Sequence, residues 1–322
     1  MKKKNVTSVG RLPSMLLCVT LCATMFLLAG CSNDNKTNVP DGDGRVPLKV
    51  TGSINVQERA HDAQWDMDDQ IGIYMYAAGT TTIAEGVTNV PYKKADSGDS
   101  FTPMPDGTTI YFPMNGSNVD FHAWYPYKDV GNDEWTANLT NQSSQAAIDL
   151  MTADQKSDTQ AGGTVYNKEN STVALNFRHR LTKLQLNIIP GDGISAEDLE
   201  NLKVELTRQW EIVRYAPDLD AIGYVENLVT IPLLTAADGT SAEAILFPDN
   251  LTGKALAADR QLVFTLKDTG ETFHWDIPTD KSFNAGDKNI YDIIINRTAL
   301  EVTSTISDWN KGNGYGESGI AE

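Results

Sequence analysis

Residues 46–56 read VPLKVTGSINV, with apolar residues on every second position. Val46, Leu48, Val50, Ile54 and Val56 share one side, Pro47, Lys49, Thr51, Ser53 and Asn55 the other, and Gly52 is the one gap in the apolar row. A period of two is that of a strand with one buried face. Extended, such a segment spans roughly 36 Å. Similar runs recur along the chain: QIGIYMY (70–76), TTIYF (108–112), NVDFHAWY (118–125), STVALNF (171–177), LTKLQLNII (181–189), LKVEL (202–206), AEAILF (242–247), RQLVFTL (260–266), TFHWDI (272–277) and NIYDIII (289–295). They are separated by the turn clusters PDG, NGS, PGDG, ADG and NAGD. Helical periodicity is nearly absent; SAEDLENL (195–202) reads as one short turn capped by serine. Many short strands punctuated by turn residues predict an all-β chain built of β-sandwiches.

A last alternating run lies close to the carboxyl end. Leu300, Val302 and Ile306 fall on one side, Glu301, Thr303, Thr305 and Ser307 on the other, and the glycine-rich NKGNGYGESGIAE that follows is expected to be flexible. This strand needs a neighbour, either in its own domain or in another molecule.

The amino terminus is of a different kind. Lys2, Lys3, Lys4 and Arg11 precede an apolar run over residues 15–28 that ends in Leu28-Ala29-Gly30-Cys31. Basic residues, a short apolar segment and small residues before the break are the marks of an export signal. As a helix the run would measure about 21 Å, short of the ~30 Å hydrocarbon core that a permanent span must cross. Leu-Ala-Gly-Cys resembles a bacterial lipobox. That resemblance implies cleavage before Cys31 and acylation of its thiol and new amino group, and two or more chains hold a protein stably on a membrane. The three cysteines are Cys18, Cys22 and Cys31, so the exported chain keeps one, already committed to lipid. Without disulfides the fold must stand on its apolar core, and a chain this long can bury one.

Residues 32–45, SNDNKTNVPDGDGR, lack any apolar run and read as a tether between lipid and fold. The best internal seam is the polar SDTQAGGTVYNKENS (157–171), which places a domain boundary near residue 165. The formal charge of the whole chain is −17; residues 1–30 hold four cations and no anion, so the remainder carries −21. Such acidity opposes binding to nucleic acid and anionic headgroups.

Chemistry-bearing motifs are sparse. His61, His122, His179 and His274 form no HExxH or i,i+4 pair, and the last three lie inside strands, the setting of hydrogen-bonded structural histidines. No G-x-S-x-G elbow or P-loop is present, and GNGYG (312–316) opens no helix. Asp41-Gly-Asp43 and Asp66-Met-Asp68-Asp69 have oxygen ligands suited to calcium but complete no calcium loop, and solvated turns account for them better. No cofactor or catalytic pair is indicated, so a hydrolase has the least support. Phe121, Trp124, Tyr125 and Tyr127 suit either a sugar-stacking platform, with Trp124 and Tyr125 as ligand aromatics, or alternate burial on the two faces of a strand; burial is the commoner use.

Several blocks, in order, resemble the fimbrillin family, the exported lipoproteins from which type V pili are assembled. They are Trp65-x-x-x-Asp69-Gln70-Ile71-Gly72-Ile73, Phe121-His-Ala-Trp-Tyr-Pro-Tyr127, Asp149-Leu-Met151, Phe177-Arg-His-Arg-Leu-Thr-Lys-Leu184 and Ile306-Ser-Asp-Trp309. The resemblance implies two tandem transthyretin-like Greek-key β-sandwich domains, 46–165 and 166–322, after a lipoprotein signal peptide (1–30) and a flexible tether (31–45). It implies a structural subunit rather than an enzyme, held on the outer membrane by lipid and then moved into an extracellular fimbrium. Its partners would be copies of itself or other fimbrial subunits and an arginine-specific protease. Family members are cut after an arginine between the first strand and the rest of the domain, a placement matched by Arg59, with Ala60 as the new terminus; Arg45 is the fallback. Loss of the first strand would leave a slot that a neighbour's Leu300, Val302 and Ile306 fill by donor-strand complementation. The alternative is a surface lipoprotein that does not polymerise, either an anchor or a module adhering to glycan or host protein.

Overall fold

A computed structural model describes residues 42–55, 64–130, 134–251, 259–297, 300–307 and 317–321, the last two segments as backbone. Strands dominate. The first half of the chain forms β1 (Lys49–Ile54), β2 (Gln70–Ala77), β3 (Val90–Lys94), β4 (Ser100–Pro103), β5 (Val119–Tyr125), β6 (Trp135–Asn138), β7 (Met151–Gln155) and β8 (Thr172–His179). The second half forms β9 (Thr182–Pro190), β10 (Lys203–Trp210), β11 (Ile212–Ala216), β12 (Ala221–Tyr224), β13 (Leu228–Pro232), β14 (Leu234–Thr235), β15 (Ser241–Leu246), β16 (Gln261–Thr265), β17 (Thr272–Asp276), β18 (Lys288–Ile295), β19 (Leu300–Ser307) and β20 (Glu317–Ala321). The predicted serine-capped turn is a 3-10 turn at Glu197–Leu199, where the Asp198 amide donates to Ser195 Oγ at 3.2 Å. Among the described residues no helix is long and apolar enough to cross a membrane.

The first sheet runs β1-β4-β3-β2-β5-β7-β8 and closes on itself, because β1 bonds to β4 on one side and β8 on the other. Its interior holds Ile71, Ile73 and Met75 of β2, Phe121, Ala123 and Tyr125 of β5, and Val173, Leu175 and Phe177 of β8. A second core fills the space among strands β9 to β18 and lies between a six-stranded sheet, β14-β15-β9-β18-β19-β20, and a four-stranded one, β13-β10-β16-β17. Trp275 of β17 meets Tyr291 of β18 across it, ring centroids 5.1 Å apart. The chain passes from the first core to the second for the last time between Phe177 and Leu181.

The two cores share a wall. Every residue of β5 is buried, because both faces of the strand are covered. Phe121, Ala123 and Tyr125 point into the first core, while Trp124 joins the second with Trp135 of β6 and Tyr215 of β11. β6, from the first half, pairs with β11 from the second, so the covering layer is woven from both. Gly72 of β2 permits this closeness: a Cβ there would lie 2.7 Å from Trp124 Nε1.

The alternating runs predicted from 70, 118, 171, 181, 202, 242, 260, 272 and 289 all form strands. The run at 108–112 does not. It lies beside residues 46–48 through a single bridge, Pro47 to Tyr111. The pairing is limited to Leu48 N–H to Ile110 O at 2.9 Å and Phe112 N–H to Val46 O at 3.0 Å, because the Ile110 amide that would return a bond to Leu48 donates instead to the Tyr92 hydroxyl at 3.0 Å. The glycine-rich tail, expected to be flexible throughout, contributes β20, paired to β19 from Leu300↔Ala321 to Ser304↔Glu317.

Candidate functional site

The feature most unlike an ordinary barrel is the placement of β1. It is parallel to β8 over six register pairs, from Lys49↔Thr172 to Ile54↔Phe177, and antiparallel to β4 at Val50↔Phe101 and Thr51↔Ser100. The row of alternate apolar residues is buried as predicted: Val46, Leu48, Val50 and Ile54 are each at most 9% exposed. Full burial of such a side chain contributes about 1.5–3 kcal/mol. Bonded on both edges and inserted in the core, β1 is nevertheless an end of the described fold, joined onward only through residues 56–63.

A clamp closes over its middle. The Trp65 indole N–H donates to the Gly52 carbonyl at 2.9 Å. The same ring stands edge-on to Phe101, Tyr125 and Phe177 at centroid distances of 5.1, 5.4 and 5.0 Å. Phe101 and Trp65 crowd the strand here, since a Cβ on Gly52 would lie 2.7 Å from the Phe101 ring and 3.5 Å from the indole nitrogen, so that any side chain requires the ring to shift. This explains the gap in the apolar row. The clamp is anchored below by the Tyr125 hydroxyl, which donates to Asp69 Oδ1 at 2.9 Å. Burial raises the Asp69 carboxyl above its ordinary range against the opposing pull of the Asp66 amide and Tyr125. Burial, then the Asp69 charge, raises the Tyr125 phenol.

A second polar feature sits where the two cores meet. His122 of β5 contacts Asp154 of β7 through Nδ1 at 2.8 Å and the Tyr215 hydroxyl of β11 through Nε2 at 2.7 Å. Tyr215 donates to Asp220 Oδ1 at 3.0 Å, and Arg180 reaches the same oxygen at 2.5 Å. The His122 hydrogen bond holds the Asp154 carboxyl below the usual carboxylate range, against the effect of burial. Burial, then Asp220, raises the Tyr215 phenol. The network floors an open cavity of about 720 Å³ whose rim includes Tyr76, Thr80, Asp154 and Asp218. Burial, followed by the Asp218 charge, pushes the Tyr76 phenol up to about 12. These groups satisfy one another and tie the barrel to the β6–β11–β12 layer. No run of sequence announced them, because they come from separate strands and one turn.

The other predicted residues fall as follows. Trp124 is 0% exposed, donating to Asn89 Oδ1 at 2.9 Å, and Tyr125 is 6% exposed. A ring without a solvent face cannot stack a sugar, so the platform reading of Trp124 and Tyr125 is corrected to core packing. His179 is buried with Nδ1 3.0 Å from Asp149, and His274 lies exposed on β17. Asp68 pairs with Lys93 at 2.8 Å and Asp43 with Arg45. Among the described residues no group of three or more His, Cys, Asp and Glu side chains is placed to hold a metal. The guanidinium of Arg45, the fallback cleavage residue, lies 4.0 Å over the Tyr111 ring. Cys31, Arg59, Ala60, Asp41 and His61 lie outside the described residues. Leu300, Val302 and Ile306 lie on β19, whose eight residues all pair with β18 of the same chain, from Ile295↔Leu300 to Lys288↔Ser307.

A fimbrillin-like family model matches residues 59–309. A Bacteroides uniformis protein named as a fimbrium subunit, Fim1C, is 35% identical over 316 residues, covering 95% of this chain and 98% of its own. A crystal structure of a Bacteroides uniformis cell-adhesion protein superimposes with a TM-score of 0.69 at 31% identity, over 83% of this chain and 100% of that one. A Bacteroides ovatus structure at 20% identity shares the fold, with a TM-score of 0.64 over 84% and 99%. The family is one of structural proteins and not of enzymes. The chain therefore belongs to the fimbrillin-like family, as a cell-surface fimbrial protein of the type V pilus class.

Proposed function

We propose that the chain is a polymerising subunit of a surface fimbria. It is exported as a lipoprotein acylated on Cys31, cut after Arg59, and assembled by donor-strand exchange. The two cores are read as the two tandem transthyretin-like domains expected at 46–165 and 166–322, with β8 (Thr172–His179) belonging to the sheet of the first. The observation that carries the reading is the state of β1. It supplies two core side chains, Val50 and Ile54, next to Val46 and Leu48 just before it, and is hydrogen-bonded on both edges, yet it is joined covalently to the rest of the fold through residues 56–63 alone, the segment that contains Arg59. A cut there turns an integral strand into a separate peptide bearing the lipid. Its departure leaves unpaired backbone on β4 and β8, a template for another chain's strand. β19 is the occupant, antiparallel to β18 at home and transferred to a neighbour on assembly.

Partners on this reading are copies of the chain or other fimbrial subunits, an arginine-specific protease, and the outer membrane through lipid until the cut. The test is Arg59→Ala. Cells carrying it are expected to hold lipidated monomers and form no fibres; fibres at the normal level would contradict the cleavage assignment.

A further inference from the structure

Residues 45–55 read RVPLKVTGSIN and residues 297–307 read RTALEVTSTIS. At a constant offset the two segments share Arg45/Arg297, Leu48/Leu300, Val50/Val302, Thr51/Thr303 and Ile54/Ile306, and where β1 carries Gly52 the later segment carries Ser304. The match is between the strand that fills the slot and the strand assigned to replace it. We propose that residues 300–307 of a second copy enter the slot in one register, with Leu300 at the place of Leu48, Val302 at Val50, Ser304 at Gly52 and Ile306 at Ile54. The Trp65–Phe101 clamp enforces that register by admitting only a small residue at the Ser304 position. This rests on the strand-replacement reading above and specifies how the replacement is read.

Three physical constraints converge on the same alignment. A slip of one residue turns Glu301, Thr303 and Thr305 toward the core and the apolar row toward solvent, the penalty that fixes register wherever one face is buried. A slip of two keeps the apolar face inward but brings Val302 or Ile306 under the clamp. A bare Cβ at that point already lies 2.7 Å from the Phe101 ring. A β-branched side chain adds bulk where rotation of one ring edge cannot make room, and overpacking of this kind is destabilising. Serine adds only one atom beyond Cβ, so of the inward row of the segment it asks the smallest shift of the Phe101 ring. Finally, the two segments match in the same chain direction, so the incoming strand is parallel to β8 and antiparallel to β4 as β1 is. The amino end of the transferred segment is marked by Arg297, which its own domain holds through Glu271 at 3.1 Å. The transferred part therefore starts beyond it.

The register gives definite cross-strand neighbours. Ser53 faces Asn176 of β8, with Ser53 Oγ 2.6 Å from Asn176 Oδ1, and Thr305 of the second copy takes the place of Ser53. All three native cysteines precede Arg59, so the cleaved subunit has no thiol of its own. Subunits carrying Thr305→Cys together with Asn176→Cys are expected to form a disulfide-linked ladder in fibres. Thr303→Cys with Asn176→Cys, displaced by two residues, is expected to give none. A ladder from the displaced pair, or from neither pair in fibres that still require residues 299–322, overturns the register while leaving strand exchange intact. Separately, Ser304→Gly is expected to assemble at the normal rate, and Ser304→Leu to slow assembly at least tenfold with the melting temperature of the monomer unchanged. Normal assembly of Ser304→Leu overturns the clamp. Fibres formed by a chain ending at Thr298 would instead sink the strand-replacement reading itself.

Discussion

The indole nitrogen of Trp65 lies 2.9 Å from the carbonyl oxygen of Gly52, bonding the first residues of the fold beyond the linking segment to the middle of β1. Trp65 stays with the fold after a cut at Arg59, whereas Gly52 leaves with the strand. On the proposed strand exchange, the bond is one that the precursor has and the vacated subunit re-forms with its new strand.

Trp65→Ala should loosen β1 before anything else. It removes the hydrogen bond, worth about 0.5–1.5 kcal/mol, and three edge-on ring contacts. Truncating a buried aromatic typically costs about 3–5 kcal/mol, and Trp65 is only partly buried, so about 3 kcal/mol is expected in urea unfolding of the precursor. Amide exchange should rise first at Val50 and Gly52. Uniform acceleration over the whole barrel would contradict a local clamp.

Gly52→Ala separates the precursor from the product. Its methyl group meets the Phe101 ring, so the precursor should lose about 1–3 kcal/mol of stability, the usual range for an overpacked core. On the proposed cleavage, fibres no longer contain residue 52 and should dissociate at the wild-type temperature. A lowered fibre temperature would mean that β1 is retained.

Acid should act through Asp154. Its folded pKa lies below the ordinary value of 3.8, first because of the His122 hydrogen bond. A depressed folded pKa gives a contribution present in full above the unfolded value and lost as pH falls through the folded one. Asp154→Asn should thus lower the urea midpoint at pH 7, and the difference from wild type should shrink below about pH 3.8. A difference independent of pH would show that the charge on Asp154 is not what matters.

Much of the fold was legible where burial is one-sided. β8 alternates exposed and buried along its whole length, and β1 and β18 bury the residues their period marks. β5 was legible for the opposite reason, an aromatic-rich run covered on both faces. The short strands β6, β11, β12 and β13 were not. WTAN, IVRYA, AIGY and LVTIP are too brief to show a period, and β6 is fixed by pairing with β11 more than 70 residues away. At the candidate site the sequence exposed Gly52 as an anomaly but not its cause, since Trp65 reaches it across a linking segment. For the aromatics at 124 and 125 burial was the commoner use, and a sugar platform stayed open beside it because local sequence does not reveal that a second layer covers that strand.

The proposed exchange of β1 for a neighbour's strand is tested by the amino-terminal sequence of subunits in native surface fibres. A single sequence starting at Ala60 is expected, with residues 46–56 absent from the purified polymer. Fibres whose subunits begin at Cys31 and retain that strand would contradict it.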